Sequence, residues 1–366
     1  MNGDSCPNAL GHAGATGSPA RSSDTPTIAQ KVEFLGKPTA YAPAPEQVGI
    51  RETHMSWVFM VGDRVYKLKK PVRFPYLDFS TLARREAACR AELRLNRRLA
   101  PDVYLEVSPL TVTSDGLALG GAGPVVDWLV VMRRLDEQDT LERAIVEDRL
   151  EPWQLDRLIA TLVQFYRRAE PSLWQPAIHL RDWQESLAYN RRVLLDARLG
   201  LPAGLVRRVD CVQRRFIARK GKLLRRRIVG RYILDGHGDL RPEHIWLGDP
   251  ARIIDCLEFN PRLRAVDPFD EIAFLSLECE RLGAGWAGRY VRARAARGLR
   301  DGVTEELFLF YRCHRATLRA RLAIAHLLEP NPRTPEKWPR LARLYLRLAA
   351  ADTTRLERLL KTRRGR

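Results

Sequence analysis

The hydrophobic pattern of the chain changes character near residue 135. Before that point, apolar and β-branched residues fall in short runs broken by glycine pairs. Ser56-Trp-Val-Phe-Met-Val and Arg64-Val-Tyr-Lys-Leu-Lys flank Gly62-Asp63, which predicts a β-hairpin closed by a two-residue turn. Between Phe79 and Pro101, Leu82, Cys89, Leu93, Leu95 and Leu99 suggest a helix, although its face is heavily charged. The β-branched stretch after Pro101, broken by Asp-Gly and Gly-Gly, reads as strands, and Trp128-Leu-Val-Val-Met-Arg as another short buried one.

Beyond Asp136 the spacing becomes helical. Pro152 opens a run in which Leu155, Leu158, Leu162 and Phe165 recur on one face. Further helical runs cover 181–199, 203–228, 268–296, 303–328 and 338–361, with one strand-rich interruption at Tyr232–Phe259. Residues 1–27, rich in Gly, Ser, Ala, Pro and Thr without a hydrophobic period, read as a disordered leader. The pattern therefore predicts an α+β chain with two lobes, a small β-rich part followed by a larger helical one.

Composition narrows the class. With 366 residues and 45% apolar content the chain can build a sizeable core. Lys and Arg number 62 against 44 acids, a net charge of +18, which raises the question of an anionic partner. No single basic block dominates, so an Arg-rich solvated surface is the plainer reading. The densest stretch, 205–228, interleaves its cations with Val206, Val209, Phe216 and Leu224 at helical spacing, which argues for a buried stripe rather than a nucleic-acid groove. The cysteines (Cys6, Cys89, Cys211, Cys256, Cys279, Cys313) show no C-x-x-C or zinc spacing and read as reduced thiols. No apolar stretch suits a membrane span or a secretory signal, so a cytoplasmic protein is expected.

The chemistry concentrates in the interruption: Asp235-Gly-His237-Gly238-Asp239-Leu-Arg241-Pro-Glu243-His244, a short strand, a Gly-Asp-Pro turn, then Ile253-Ile254-Asp255. A hairpin would carry Asp239 before its first strand and Asp255 at the end of its second. Two such carboxylates can converge, one accepting a hydroxyl proton while the other holds a divalent cation. A lone Asp in a loop usually serves turn or capping chemistry, but the His-Gly-Asp tripeptide and flanking strands set this pair apart.

His237-Gly-Asp239-Leu resembles the catalytic loop of the aminoglycoside phosphotransferase-like kinases, and Ile253-Ile-Asp255 resembles their metal-binding strand end. The resemblance runs from about Glu33 to Leu328. Glu52-Thr-His-Met-Ser-Trp-Val-Phe with Val65-Tyr-Lys67-Leu-Lys-Lys-Pro is similar to an uncharacterised bacterial branch, some members of which carry a fused P-loop ATPase domain. This sequence holds no G-x-x-x-x-G-K-[ST], so that half is expected to be absent. The resemblance implies a two-lobed protein-kinase-like fold, with a nucleotide-binding lobe at 28–134 and a catalytic and substrate lobe at 135–366. It implies ATP and Mg²⁺ (or Mn²⁺) as cofactors and a small-molecule hydroxyl as acceptor. Neither nucleic acid nor membrane is an expected partner.

Carried over by position, Asp239 is the expected catalytic base and Asp255 the metal ligand. Lys67 is favoured over Lys69 for the phosphates, with Glu92 as its acidic partner and Glu86 in reserve. Ser56, with Thr53 and His54, is expected over the phosphates, Met132 in the adenine hinge, and Asp270 as a buried tie between the next helix and the catalytic loop. Two positions depart from the family. His244 stands where Asn is the usual second metal ligand, and imidazole suits transition metals better than Mg²⁺. Arg241 stands where His is common, and could meet phosphate, Glu243 or Glu258. A nucleotide-binding pseudokinase and a protein Ser/Thr kinase remain the alternatives. The latter is disfavoured because helix signals resume by Pro268, too soon for an extended activation segment.

Overall fold

The computed structural model describes residues 25–74, 77–172, 175–329, 332 and 334–362. The expected leader lies, up to residue 24, outside the described residues. Helix α1 (Ile28–Leu35) begins behind a capping box in which Thr27 and Gln30 satisfy each other's backbone N–H groups. It packs Leu35 under the sheet and anchors there through Lys31, whose ammonium meets Asp127 at 2.8 Å.

Six strands form one antiparallel sheet: β1 (Val48–Glu52), β2 (Ser56–Val61), β3 (Arg64–Lys69), β6 (Tyr104–Thr113), β7 (Gly116–Leu119) and β8 (Val125–Arg133), in the spatial order β1-β2-β3-β8-β6-β7. The expected hairpin is β2–β3, with Val61 opposite Arg64 and Gly62 in the left-handed conformation that needs no Cβ. A two-residue pair, β4 (Arg73–Phe74) and β5 (Leu77–Asp78), follows it. Helix α2 (Leu82–Asn96) then crosses behind β6 and β8. Its apolar period is weak because its buried side carries Arg85, Glu92 and Asn96 beside Cys89 and Leu95.

The remainder is helical: α3 (Leu141–Val146), α4 (Pro152–Arg168), α5 (Pro176–Leu194), α6 (Ala203–Val229), α7 (Pro261–Arg264), α8 (Pro268–Arg281), α9 (Gly285–Leu299), α10 (Glu305–Ala325) and α11 (Lys337–Thr362). Leu155, Leu158 and Leu162 of α4 meet Phe216, Phe269, Ile272 and Phe310 in the main core. The anticipated stripe of α6 (Val206, Val209, Phe216, Leu224) is buried, and of its cations Arg227 is buried too, paired with Asp267 at 2.6 Å. The single run expected over 268–296 is instead two helices. Gly283, at φ +99°, lets the chain turn where a residue with a Cβ would be strained.

Within Tyr232–Phe259 the strands are short: β9 (Leu234–Asp235), β10 (Ile245–Trp246) and β11 (Arg252–Ile253), with β12 (Ala265–Val266) pairing back on β9. Asp255 lies just past β11 rather than on it, at φ +61°. That is a costly backbone for a non-glycine residue, and it departs from the extended strand just where the carboxylate meets the cleft. The architecture is the two-lobed one: a curled antiparallel sheet with α2 on one side, helices on the other, and a cleft between.

Candidate active site

The cleft measures about 1210 Å³ and is lined from both lobes. On the sheet side, alternation along β3 puts Lys67 and Lys69 on one face, and α2 brings Glu92 up against it. Lys67 Nζ meets Glu92 Oε1 at 2.8 Å and Asp255 Oδ1 at 3.0 Å. Lys69 Nζ meets Glu92 Oε2 at 2.6 Å and Glu258 Oε1 at 2.5 Å. Burial alone would neutralise these ammoniums, but Asp255 and Glu92 hold Lys67 well above the ordinary lysine range. Burial pushes Glu92 up, and the two lysines more than reverse it, leaving the carboxyl below its usual value. Lys67, with burial against it as well, holds Asp255 far below the carboxylate range. Only Lys67 of the two lysines borders the cleft, while Lys69 lies beneath it with its ammonium over the Phe79 ring. Glu86 pairs with Arg90 on the surface and takes no part.

The β1–β2 turn closes the cleft from above. Thr53 Oγ1 accepts the Ser56 N–H at 2.9 Å and donates to the Ser56 carbonyl, also at 2.9 Å. Lys70 donates to the Thr53 carbonyl at 2.7 Å, bracing the same turn. Ser56 is buried and lines the cleft, and Met132, near the end of β8, lines it with Val65, Val103 and Ile254.

The residues of the loop at 237–244 come from the helical side. His237 is fully buried; its Nε2 lies 2.8 Å from the Ile254 carbonyl and its Nδ1 accepts the Asp239 N–H at 3.2 Å. Burial pushes its imidazole down to about 4, so it is a neutral strut joining the Asp239 loop to the Asp255 loop. Gly238, at φ +90°, sits where a Cβ would crowd Leu257 at 2.9 Å. The carboxylate that ties this loop down is Glu271, one residue beyond the expected one. It accepts the His237 N–H at 2.9 Å and the Gly238 N–H, and Tyr166 donates to it at 2.9 Å. Asp270 acts one step removed: it pairs with Arg315 at 2.6 Å, and Arg315 reaches the Gly238 carbonyl at 3.5 Å. Adjacent acids in Asp270-Glu271 are told apart only by the phase of α8, which sequence spacing alone did not supply.

Asp239 and Asp255 converge on His244. The imidazole is buried, with Nδ1 3.8 Å from Asp239 Oδ2 and Nε2 3.9 Å from Asp255 Oδ2. Ligand atoms about 2.1 Å from a small divalent ion can stand up to roughly 4.2 Å apart, so His244 Nε2 and Asp255 can share one. Among the described residues no three His, Cys, Asp or Glu gather into a metal cage. A pair of protein ligands suits an ion that completes its shell with phosphate and water oxygens. Burial raises Asp239, but Arg241 and His244 outweigh it and hold the carboxyl below its usual range. Glu258, offered by the sequence as a partner of Arg241, is instead the second partner of Lys69, and sequence reasoning missed Tyr104, whose hydroxyl accepts the Asp255 N–H at 3.3 Å.

No family model matches the chain. An uncharacterized protein of Mycobacterium tuberculosis (strain ATCC 25618 / H37Rv) is 34% identical over 292 residues, 78% of this chain and 56% of that protein. An uncharacterized protein of Mycobacterium bovis matches to the same extent. The chain thus spans about half the length of the curated relatives it matches. Among solved structures, choline kinase from Cryptosporidium parvum aligns over 90% of this chain and 95% of its own, with a TM-score of 0.50 at 9% identity. A thermostable mutant of aminoglycoside phosphotransferase APH(4)-Ia aligns over 91% and 99% with a TM-score of 0.49 at 12% identity. The chain therefore has the two-lobed protein-kinase-like fold, the fold it shares with choline kinase.

Proposed function

We propose that the chain is an ATP-dependent phosphotransferase acting on a hydroxyl group of a small molecule. The observation that carries the reading is the convergence of Asp239, His244, Asp255 and Lys67 on one cleft, with Asp255 bridged to Lys67 at 3.0 Å and facing His244 at 3.9 Å. Phosphoryl transfer asks mainly for positioning and charge neutralisation, and these are the parts it needs. Lys67, oriented by Glu92, engages the nucleotide phosphates, the turn at Ser56 lies over them, and the purine rests near Met132 against Val65, Val103 and Ile254. Asp255 and His244 would hold Mg²⁺ or Mn²⁺, which when bound would supply charge neutralisation for the phosphates. Asp239 accepts the proton of the acceptor hydroxyl as its oxygen attacks phosphorus and the bond to the leaving diphosphate breaks.

One observation favours a nucleotide-binding pseudokinase as the second reading: the Arg241 guanidinium sits on Asp239 at 2.9 Å. A protein kinase is less well supported, because the short segment 256–267 between Asp255 and α8 holds only α7 and β12. Among the described residues no helix is long and apolar enough to cross a membrane. The test is the melting temperature with Mg·ATP and with Mn·ATP. A ligand at a hundred times its Kd adds about 2.7 kcal/mol of stability, which a thermal scan resolves. A protein that ignores millimolar nucleotide with both metals is not a kinase.

A further inference from the structure

Arg241 has no assigned part in the reaction just described, yet it lies at its centre. The guanidinium is committed to three partners at once: Nε donates to Asp239 Oδ2 at 3.0 Å, Nη1 to Glu243 Oε1, and Nη2 lies 3.1 Å from His244 Nε2. The protonation of His244 follows from its other nitrogen. Nδ1 is 3.0 Å from the Asp239 carbonyl oxygen, which can only accept, so Nδ1 carries the proton and Nε2 the lone pair. A guanidinium can only donate, so Nη2 points its N–H into that lone pair. The same lone pair faces Asp255 Oδ2 at 3.9 Å. Arg241 therefore covers the one imidazole atom able to bind a metal and one oxygen of the base.

Glu243 supplies the guanidinium with a second position. Its Oε1 takes Nη1, but its Oε2 is buried without a hydrogen-bond partner among the described residues. A buried carboxylate oxygen left unmet is costly. Turning the guanidinium onto both Glu243 oxygens would form the bidentate pair that Arg and carboxylates favour, and would release Asp239 Oδ2 and His244 Nε2 together. Lysine could not do this, because its ammonium is a single point of charge.

We propose that Arg241 is a displaceable occupant of the active centre, which yields His244 and Asp239 to a divalent cation and the acceptor by moving onto Glu243. The proposal rests on the reading of His244 and Asp255 as shared metal ligands and adds a control to it. Because the cation must compete with the guanidinium, its apparent affinity is lowered by the fraction of molecules in which Arg241 covers the imidazole.

The experiment is a titration of the full chain with Mn²⁺ alone, following the electron paramagnetic resonance signal of the free ion. Arg241→Gln should bind Mn²⁺ about tenfold more tightly than wild type, the gain expected for removing one charge-assisted hydrogen bond from the ligand atom. Arg241→Lys should fall between the two, which keeps the test open if the glutamine variant folds poorly. Glu243→Gln should weaken binding, since the second position is lost. In a His244→Ala background the Arg241→Gln gain should vanish; a gain that persists there reflects only the removed charge and overturns the proposal. Equal affinity in wild type and Arg241→Gln, with His244→Ala weaker than both, also overturns it while leaving the metal site intact. Wild-type affinity in His244→Ala, or no Mn²⁺ binding in any variant, removes the ligand reading and the proposal together.

Discussion

The two walls of the cleft handle charge differently. On the sheet side each oxygen of Glu92 faces its own ammonium, Lys67 or Lys69, and each lysine has a second acid, Asp255 or Glu258. Cations and carboxylates are matched and largely buried, so the arrangement has little freedom to become anything else. On the catalytic-loop side one guanidinium is divided among Asp239, Glu243 and His244, and one oxygen of Glu243 has no protein partner among the described residues. A matched network holds a geometry, whereas an unmatched one has alternatives close in energy. Under the proposed function, this contrast would suit the sheet side to rigid nucleotide positioning and the loop side to the steps in which partners change.

The largest effect should come from removing the proposed base. Asp239→Asn should lower acceptor phosphorylation by roughly 10²–10⁴-fold, the range for a positioned proton acceptor, while keeping the nucleotide-induced rise in melting temperature. Lys67→Ala should do the reverse to that rise and abolish it. If Asp239→Asn lost nucleotide binding and kept turnover, the parts given to Asp239 and Asp255 would have to be exchanged.

Stability measurements probe the contrast itself. Glu92→Gln leaves two buried ammoniums short of a counter-charge and should cost about 3–5 kcal/mol in urea unfolding. Glu243→Gln, at a partly buried carboxylate with one oxygen already unmet, should cost less than about 1 kcal/mol. Similar losses in both variants would mean that the two walls are not built differently.

Acid sharpens the picture from a third place. His314 of α10, buried against α5 with Nε2 2.9 Å from Ser186 Oγ, is pushed down to about 3 by burial, with Arg315 and Arg321 adding to it. Unfolded imidazole protonates near 6.5, so below that pH the unfolded chain binds a proton that the folded one refuses. Stability present above pH 6.5 should therefore fall by about 2 kcal/mol between pH 7 and 5. His314→Gln should flatten that part of the slope. Glu92 and Asp255 stay ionised over this range, so nucleotide binding should outlast the loss. A wild-type slope in His314→Gln would move the acid sensitivity elsewhere.

Much of this was legible in the sequence because short-range chemistry wrote it there. Gly62-Asp63 between β-rich runs could only turn, and His237-Gly-Asp239 could be recognised as a loop with work to do. Lys67 and Lys69 share one strand face in any sequence reading, and only the third dimension shows which of them borders the cleft. Helix α2 was blurred because the residues that matter most on its buried face, Arg85, Glu92 and Asn96, are polar and erase the apolar period. Glu271, and the pairing of Glu258 with Lys69, were missed because their partners are backbone or lysine groups far away in sequence, a relation no local pattern encodes. The arrangement of Arg241 was open between Glu243, Glu258 and phosphate. Its contacts with Glu243 and His244 depend on the 3-10 turn at Pro242–His244, which brings both side chains back onto the guanidinium.

The smallest expected effect falls on metal preference. Imidazole at His244 favours Mn²⁺ over Mg²⁺ relative to an amide oxygen, because Mg²⁺ prefers oxygen and surrenders its water reluctantly. His244→Asn restores an oxygen donor at a position whose neighbour across the cleft, Asp255 Oδ2, is 3.9 Å away. The ratio of Mn²⁺- to Mg²⁺-supported ATP turnover should drop several-fold in the variant, about 1 kcal/mol of relative affinity. Asn cannot fully replace the imidazole, because its single amide must choose between the Asp239 carbonyl, now met by Nδ1, and the ion. Part of the activity gained with Mg²⁺ should therefore be offset by a looser Asp239 loop, seen as a higher acceptor KM. An unchanged metal ratio would show that His244 only props the loop. Turnover confined to the Asn variant would make the natural chain the pseudokinase.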